Sequence, residues 1–118
     1  MSGKQFLKQL HPIQVVEYEI YDYLCLSDTA SRARIIDHIH WRYRQIHDND
    51  MLRKRIESDL QDVFSSAYSI LHHDWSIIWR PRYGVYALTG DGVDLFEQHV
   101  GHDKLEQYYD ALTELGLL

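Results

Sequence analysis

The sequence predicts a mainly α domain that carries one β-hairpin. Two observations lead there. Apolar residues recur at spacings of three and four over most of the chain. Near residue 75 that period gives way to a short aromatic and β-branched run, Trp75-Ser76-Ile77-Ile78-Trp79, then a turn, then a second short run. The composition is that of one globular domain: 118 residues, 45% hydrophobic and 25% charged, with nine Tyr, three Trp and three Phe to fill a small core. No apolar run approaches the roughly 18 residues of a membrane helix, so no span is expected.

Residues 1–11 read as a flexible arm, MSGKQFLKQLH, with neither the apolar core nor the cleavage site of a signal peptide. Pro12 suits a first helical position, and Ile13, Val16, Ile20 and Leu24 form one apolar stripe over about 12–25. Ser27, Asp28 and Thr29 break it. A helix over about 30–44 turns Ile35, Ile36, Ile39 and Tyr43 inward. After the polar break at 47–50, a third helix over about 50–72 buries Leu52, Ile56, Leu60, Val63, Ala67, Ile70 and Leu71.

The run at 75–79 is the first hairpin strand, Arg80-Pro81-Arg82-Tyr83-Gly84 its turn, and Val85-Tyr86-Ala87-Leu88 the returning strand. Thr89 reads as the N-cap of a fourth helix, with Leu88 and Val93 as its hydrophobic staple, Phe96 and Val100 inward and Gly101 as the stop. Asp103 reads as the cap of a fifth helix, whose stripe is Leu105, Tyr108, Leu112 and Leu115. Three helices followed by a hairpin is the layout of a winged helix-turn-helix, here with an extra C-terminal helix over 101–118 after a winged-helix domain over 12–100. The rival layout is an unrelated α+β bundle with a packed hairpin.

Two stretches carry a family resemblance: Val63-Phe64-Ser65-Ser66-Ala67-Tyr68-Ser69-Ile70-Leu71, and Arg80-Pro81-Arg82-Tyr83-Gly84-Val85-Tyr86-Ala87-Leu88-Thr89-Gly90-Asp91-Gly92. With them the segment from about Ile35 to His99 resembles the N-terminal winged-helix domain of Mrr-type restriction proteins. It departs at His73-Asp74-Trp75, where that family has a small turn. The resemblance implies double-stranded DNA as the partner and a recognition module without the family's nuclease domain.

Net charge is −6, which by itself argues against a strongly basic nucleic-acid binder. The distribution matters more. Residues 1–31 sum to −2, residues 32–82 to +2 and residues 83–118 to −6, so nine of the twelve basic residues fall in the middle segment. On the helix over 50–72, the face opposite the apolar stripe carries Lys54, Ser58, Gln61, Ser65 and Tyr68, donors suited to phosphates and base edges. Arg53 and Arg55 flank its start, and Arg80, Arg82 and Tyr83 stand at the expected tip of the hairpin. The DNA-binding set is therefore Arg53, Lys54, Arg55, Ser58, Gln61, Ser65, Arg80, Arg82 and Tyr83. Glu57, Asp59 and Asp62 on the same helix count against it, because carboxylates repel phosphates.

The eight histidines show no i, i+4 pair with a third ligand, so no metal is expected. No phosphate-binding glycine loop, nucleophile elbow or Cys/His pair is present, so no catalytic residue, cofactor or enzymatic activity is expected. A single cysteine, Cys25, fits a reducing compartment and a cytoplasmic location, and reads as packed in a helix end. The stripe Leu105, Tyr108, Leu112 and Leu115 has the spacing of a short coiled-coil seam, which predicts a homodimer through the last helix. The function expected is a DNA-binding regulator or recognition module. The alternative is a protein-interaction module on the same fold.

Overall fold

In the computed structural model, residues 2–46, 58 and 77–118 are described. Among them are five helices and a three-stranded antiparallel sheet: α1 (Gly3–Gln9), α2 (Pro12–Leu26), β1 (Ala30–Ser31), α3 (Arg32–Ile46), β2 (Ile78–Arg82), β3 (Val85–Leu88), α4 (Gly92–Val100) and α5 (His102–Glu114). The mainly helical class with a hairpin is as the periodicity predicts. None of these helices is long and apolar enough to cross a membrane. The predicted helix over 50–72 lies outside the described residues, apart from Ser58, which is helical and exposed.

Within the stretch expected as a flexible arm, residues 3–9 form a helix. Ser2 Oγ accepts the Gln5 N–H and Gln5 Oε1 accepts the Ser2 N–H, a reciprocal cap that starts α1. Seven residues cannot hold a helix alone. Here Leu7 is fully buried and the Gly3 N–H donates to Glu114 Oε2 of α5 at 3.0 Å, so tertiary packing supplies what length does not. The next helix starts the same way. His11 Nδ1 accepts the Ile13 N–H while Gln14 Oε1 accepts the His11 N–H, and Pro12 opens α2 as expected.

Helix α2 is the centre of the molecule. The predicted stripe holds for Val16, Ile20 and Leu24, but burial runs without a break from Val15 to Asp22. A helix enclosed on all sides normally reads as apolar all round. This one is not, because Glu17, Glu19 and Asp22 are buried with it. Its tyrosines pack edge-on and face-on. Tyr18 meets Phe96 and Tyr108 edgewise at 6.0 and 4.9 Å, and Tyr21 stacks on Phe96 at 4.1 Å.

The sheet order is β1-β3-β2, with Ala30 opposite Tyr86, Ile78 opposite Leu88 and Trp79 opposite Ala87. Several sequence expectations change here. Arg80-Pro81-Arg82 is strand rather than turn, and the reversal falls on Tyr83-Gly84, with Gly84 at φ +72°. Proline is tolerated because β2 is an edge strand and the register slips between Trp79 and Arg82. Thr89 does not occupy the N-cap. Its N–H donates to the Ile77 carbonyl and its own carbonyl accepts the Gly92 N–H, so the chain completes a turn before α4 begins after Asp91. Val93 is 40% exposed. Gly101 rather than Asp103 precedes α5 as its cap, and Asp103 lies in the first turn, where a carboxylate favours the helix dipole.

The residues of the predicted dimer seam pack within the chain. Leu105, Tyr108 and Leu112 are 5%, 0% and 0% exposed, and Leu115 is partly buried. The stripe closes the chain's own core, with Tyr108 packed on Tyr18 of α2. Cys25, expected to be packed, is exposed.

Two substitutions test this packing. A Cβ on Gly92 would stand 2.5 Å from the Ile77 carbonyl oxygen, a backbone atom that cannot swing away, whereas Gly90 has open space. Gly92→Ala is expected to cost about 1–3 kcal/mol in urea unfolding, and Gly90→Ala about 0.5 kcal/mol or less. Leu112→Glu is expected to abolish the cooperative unfolding transition, because it buries a carboxylate without a partner. A dimer interface at this helix would instead give a folded monomer.

Candidate functional site

Two groups of side chains stand out once the fold is assembled: an exposed basic and aromatic hairpin, and a buried polar cluster between α2, α3 and α5.

The hairpin is free of carboxylates, as are all residues from 75 to 90. Arg80, Arg82 and Tyr83 are exposed, Tyr83 at 96%. The reversal is tied to the body of the protein, since the Arg32 N–H donates to the Gly84 carbonyl at 3.0 Å and Ser31 pairs with Val85. That bond brings the first turn of α3 beside the hairpin. Arg32 and Arg34 lie in that turn, exposed, with no acid among its first residues, and the Arg34 N–H is held by Ser31 Oγ. Cations at a helix N-terminus oppose the dipole, so they add nothing to the helix itself and leave a locally positive surface. Sequence reasoning places Arg32 and Arg34 in the basic middle segment but misses them as binding residues. The signal that would have found them is β1, a two-residue strand too short to show in the pattern of the sequence. Of the other expected contacts, Arg53, Lys54, Arg55, Gln61 and Ser65 lie outside the described residues, and Ser58 is exposed.

Nothing in the sequence pattern announces the buried cluster. Glu19 is 0% exposed. Its Oε1 accepts from Arg42 Nε at 2.8 Å and meets His38 Nε2 at 2.9 Å, and its Oε2 accepts the Tyr108 hydroxyl. Asp22, one turn on, accepts the Tyr109 hydroxyl at 2.9 Å. Arg42 is 3% exposed; its Nη1 donates to the Leu117 carbonyl at 2.7 Å, and its guanidinium lies 4.9 Å from the Trp41 ring. His38 stacks on Tyr23 at 4.8 Å. One of the nine basic residues of the middle segment thus sits inside the protein.

Burial alone would raise the Glu19 carboxyl, but the bond from His38, the charge and bond of Arg42 and the bond from Tyr108 outweigh it and hold the group below its ordinary value. Asp22 goes the other way. Burial raises it, and the Tyr109 hydrogen bond offsets only part of that. Tyr108 and Tyr109 are both raised, by burial first and then by the carboxylates they serve.

Oxygen or nitrogen atoms of Glu19, Asp22 and His38 lie within 4.8 Å of one another, the spacing of a metal-ligand group. Their chemistry suits a cation poorly. The guanidinium of Arg42 already neutralises Glu19, and both Glu19 and Asp22 accept at least one protein hydrogen bond. The arrangement joins helices rather than presenting open ligands.

The chain matches no family model, no curated protein and no solved structure.

The cluster sets clear expectations for stability. Glu19→Ala leaves Arg42 buried and unpaired and is expected to cost about 3–5 kcal/mol, read from urea unfolding. Because the Glu19 value is lowered in the fold, its contribution is complete above the ordinary carboxyl value of 4.5 and is lost as pH falls through the lowered value. Asp22, being raised, penalises the fold while ionised. Asp22→Asn, which keeps an acceptor for Tyr109, is therefore expected to cost less at pH 7 than Glu19→Gln. A ranking in the opposite order would contradict this account of the cluster.

Proposed function

We propose that the chain is a winged-helix protein that binds double-stranded DNA, acting as a small regulator or recognition module. The fold reading is supported by the element order α2, β1, α3, β2, β3 and by the sheet order β1-β3-β2, in which a short strand before α3 completes the sheet of the hairpin. In such a layout the helix before the hairpin enters the major groove, and the hairpin reaches the neighbouring backbone. That helix is the one expected over 50–72.

The observation that carries the functional reading is the acid-free hairpin. Arg80 and Arg82 are exposed on β2, and the reversal that follows it is tied to the first turn of α3, which carries Arg32 and Arg34. Four exposed arginines, two on β2 and two in the first turn of α3, add positive charge around the hairpin of a protein whose total charge is negative. A polyanion would be held there by local contacts and weak long-range steering, which favours modest affinity and strong salt dependence.

The test is fluorescence anisotropy with a labelled duplex of mixed sequence over a salt series. Binding is expected at low salt and is expected to fall steeply as salt rises. The double variant Arg80→Ala/Arg82→Ala is expected to weaken it on every sequence and to flatten the logarithmic salt slope by about one for each phosphate that it leaves without a cation. Absence of binding at low salt would overturn the DNA reading. The acidic surface of residues 83–118 would then favour the protein-interaction module on the same fold.

A further inference from the structure

Phosphate contacts explain the arginines of the hairpin but not its aromatic side chains. Tyr83 is 96% exposed at the reversal and Trp79 is 50% exposed on β2. The sheet register shows how Trp79 is aimed. Trp79 lies opposite Ala87 and Arg82 opposite Val85, and Ala87 and Val85 are two apart on β3, hence on one face. Trp79 and Arg82 therefore share a face although they are three apart in sequence. The register slip between them makes this possible, since a regular strand would place them on opposite sides. The other face holds Ile78, Tyr86 and Leu88, and Ala30 from β1, and it packs toward the core. One side of the hairpin thus presents an indole beside a guanidinium, with a phenol at the tip and Arg80 exposed between the two rings in sequence.

Alternating flat π surfaces and guanidinium groups is the chemistry by which proteins hold unpaired nucleotides. Bases stack on the rings and the cations hold the phosphates between them. In an intact duplex the bases are already stacked on each other, and their faces are closed to such rings.

We propose that the hairpin captures unpaired nucleotides, bases stacking on Trp79 and Tyr83 while Arg80 and Arg82 hold the neighbouring phosphates, so that single strands and duplex ends with unpaired arms bind more tightly than blunt duplex. This rests on the nucleic-acid reading above and specifies its substrate class.

The test uses the full chain with three labelled probes at one salt concentration: a thymidine single strand of about twenty nucleotides, a forked duplex with thymidine arms, and a blunt duplex of mixed sequence. The first two are expected to bind more tightly, with quenching of tryptophan fluorescence that survives Trp41→Phe and disappears in Trp79→Phe. Tyr83→Ala alters a fully solvated turn, so the fold, checked by circular dichroism, is expected to stay intact. It should weaken single-strand and fork binding about 5- to 100-fold and blunt duplex binding by a clearly smaller factor. Equal affinity for all three probes, or single-strand binding unaffected by Tyr83→Ala, would overturn this proposal and leave duplex binding standing. Failure of every probe to bind would overturn both.

Discussion

A carboxylate at the centre of a protein must be neutralised where it stands, and Glu19 meets that requirement by drawing three elements onto one side chain. Arg42 and His38 come from α3, Tyr108 from α5, and the acid itself from α2. A helix packed only by apolar contacts can rotate or slide at modest cost. Here, rotation of α2 by one residue would turn Glu19 into an apolar wall and strand the Arg42 guanidinium, each a penalty of several kcal/mol. The same arginine reaches the Leu117 carbonyl, so the end of the chain is held by the group that holds its centre. The buried polar cluster therefore sets how the helices are arranged, while the tyrosine and isoleucine packing around it supplies the bulk of the burial.

Charge is partitioned accordingly. Arg42 is taken out of the surface, while Arg32 and Arg34 at the start of α3 and Arg80 and Arg82 on β2 stay in solvent. The Arg32 amide on the Gly84 carbonyl and the Thr89 amide on the Ile77 carbonyl tie down the two ends of the hairpin. Its tip is thus anchored although its side chains are solvated. An anchored, acid-free, aromatic hairpin is suited to contact a ligand with little further loss of conformational entropy. The acids of α4 and α5 lie on elements separate from it, which lets a protein of net charge −6 keep a positive region.

Residue periodicity made the helices legible. The stripe at Val16, Ile20 and Leu24, that at Ile35, Ile39 and Tyr43, and that at Leu105, Tyr108 and Leu112 are all buried as their spacing predicts. The hairpin was legible in the aromatic and β-branched runs on either side of Gly84. Less legible were the ends of elements. Thr89 is a good capping residue, but a backbone carbonyl from Ile77, twelve positions away, claims its amide and delays the helix. Residues 1–11 read as an arm because a seven-residue helix has no stability of its own to advertise.

The sequence by itself determined where the backbone can be helical or extended, which residues must leave water, and that the basic residues concentrate in the middle of the chain. These follow from local chemistry: side-chain period, turn residues and charge order. Only the tertiary structure decided what the buried stripes pack against. It turned the stripe of the last helix onto the chain's own α2, it enclosed Arg42 in the core, and it tied the start of α3 to the reversal of the hairpin. The reason is physical. A stripe or a charge records only that a partner is needed, and the choice among partners is made by distances between residues far apart in sequence, such as Glu19 and Tyr108, 89 positions apart.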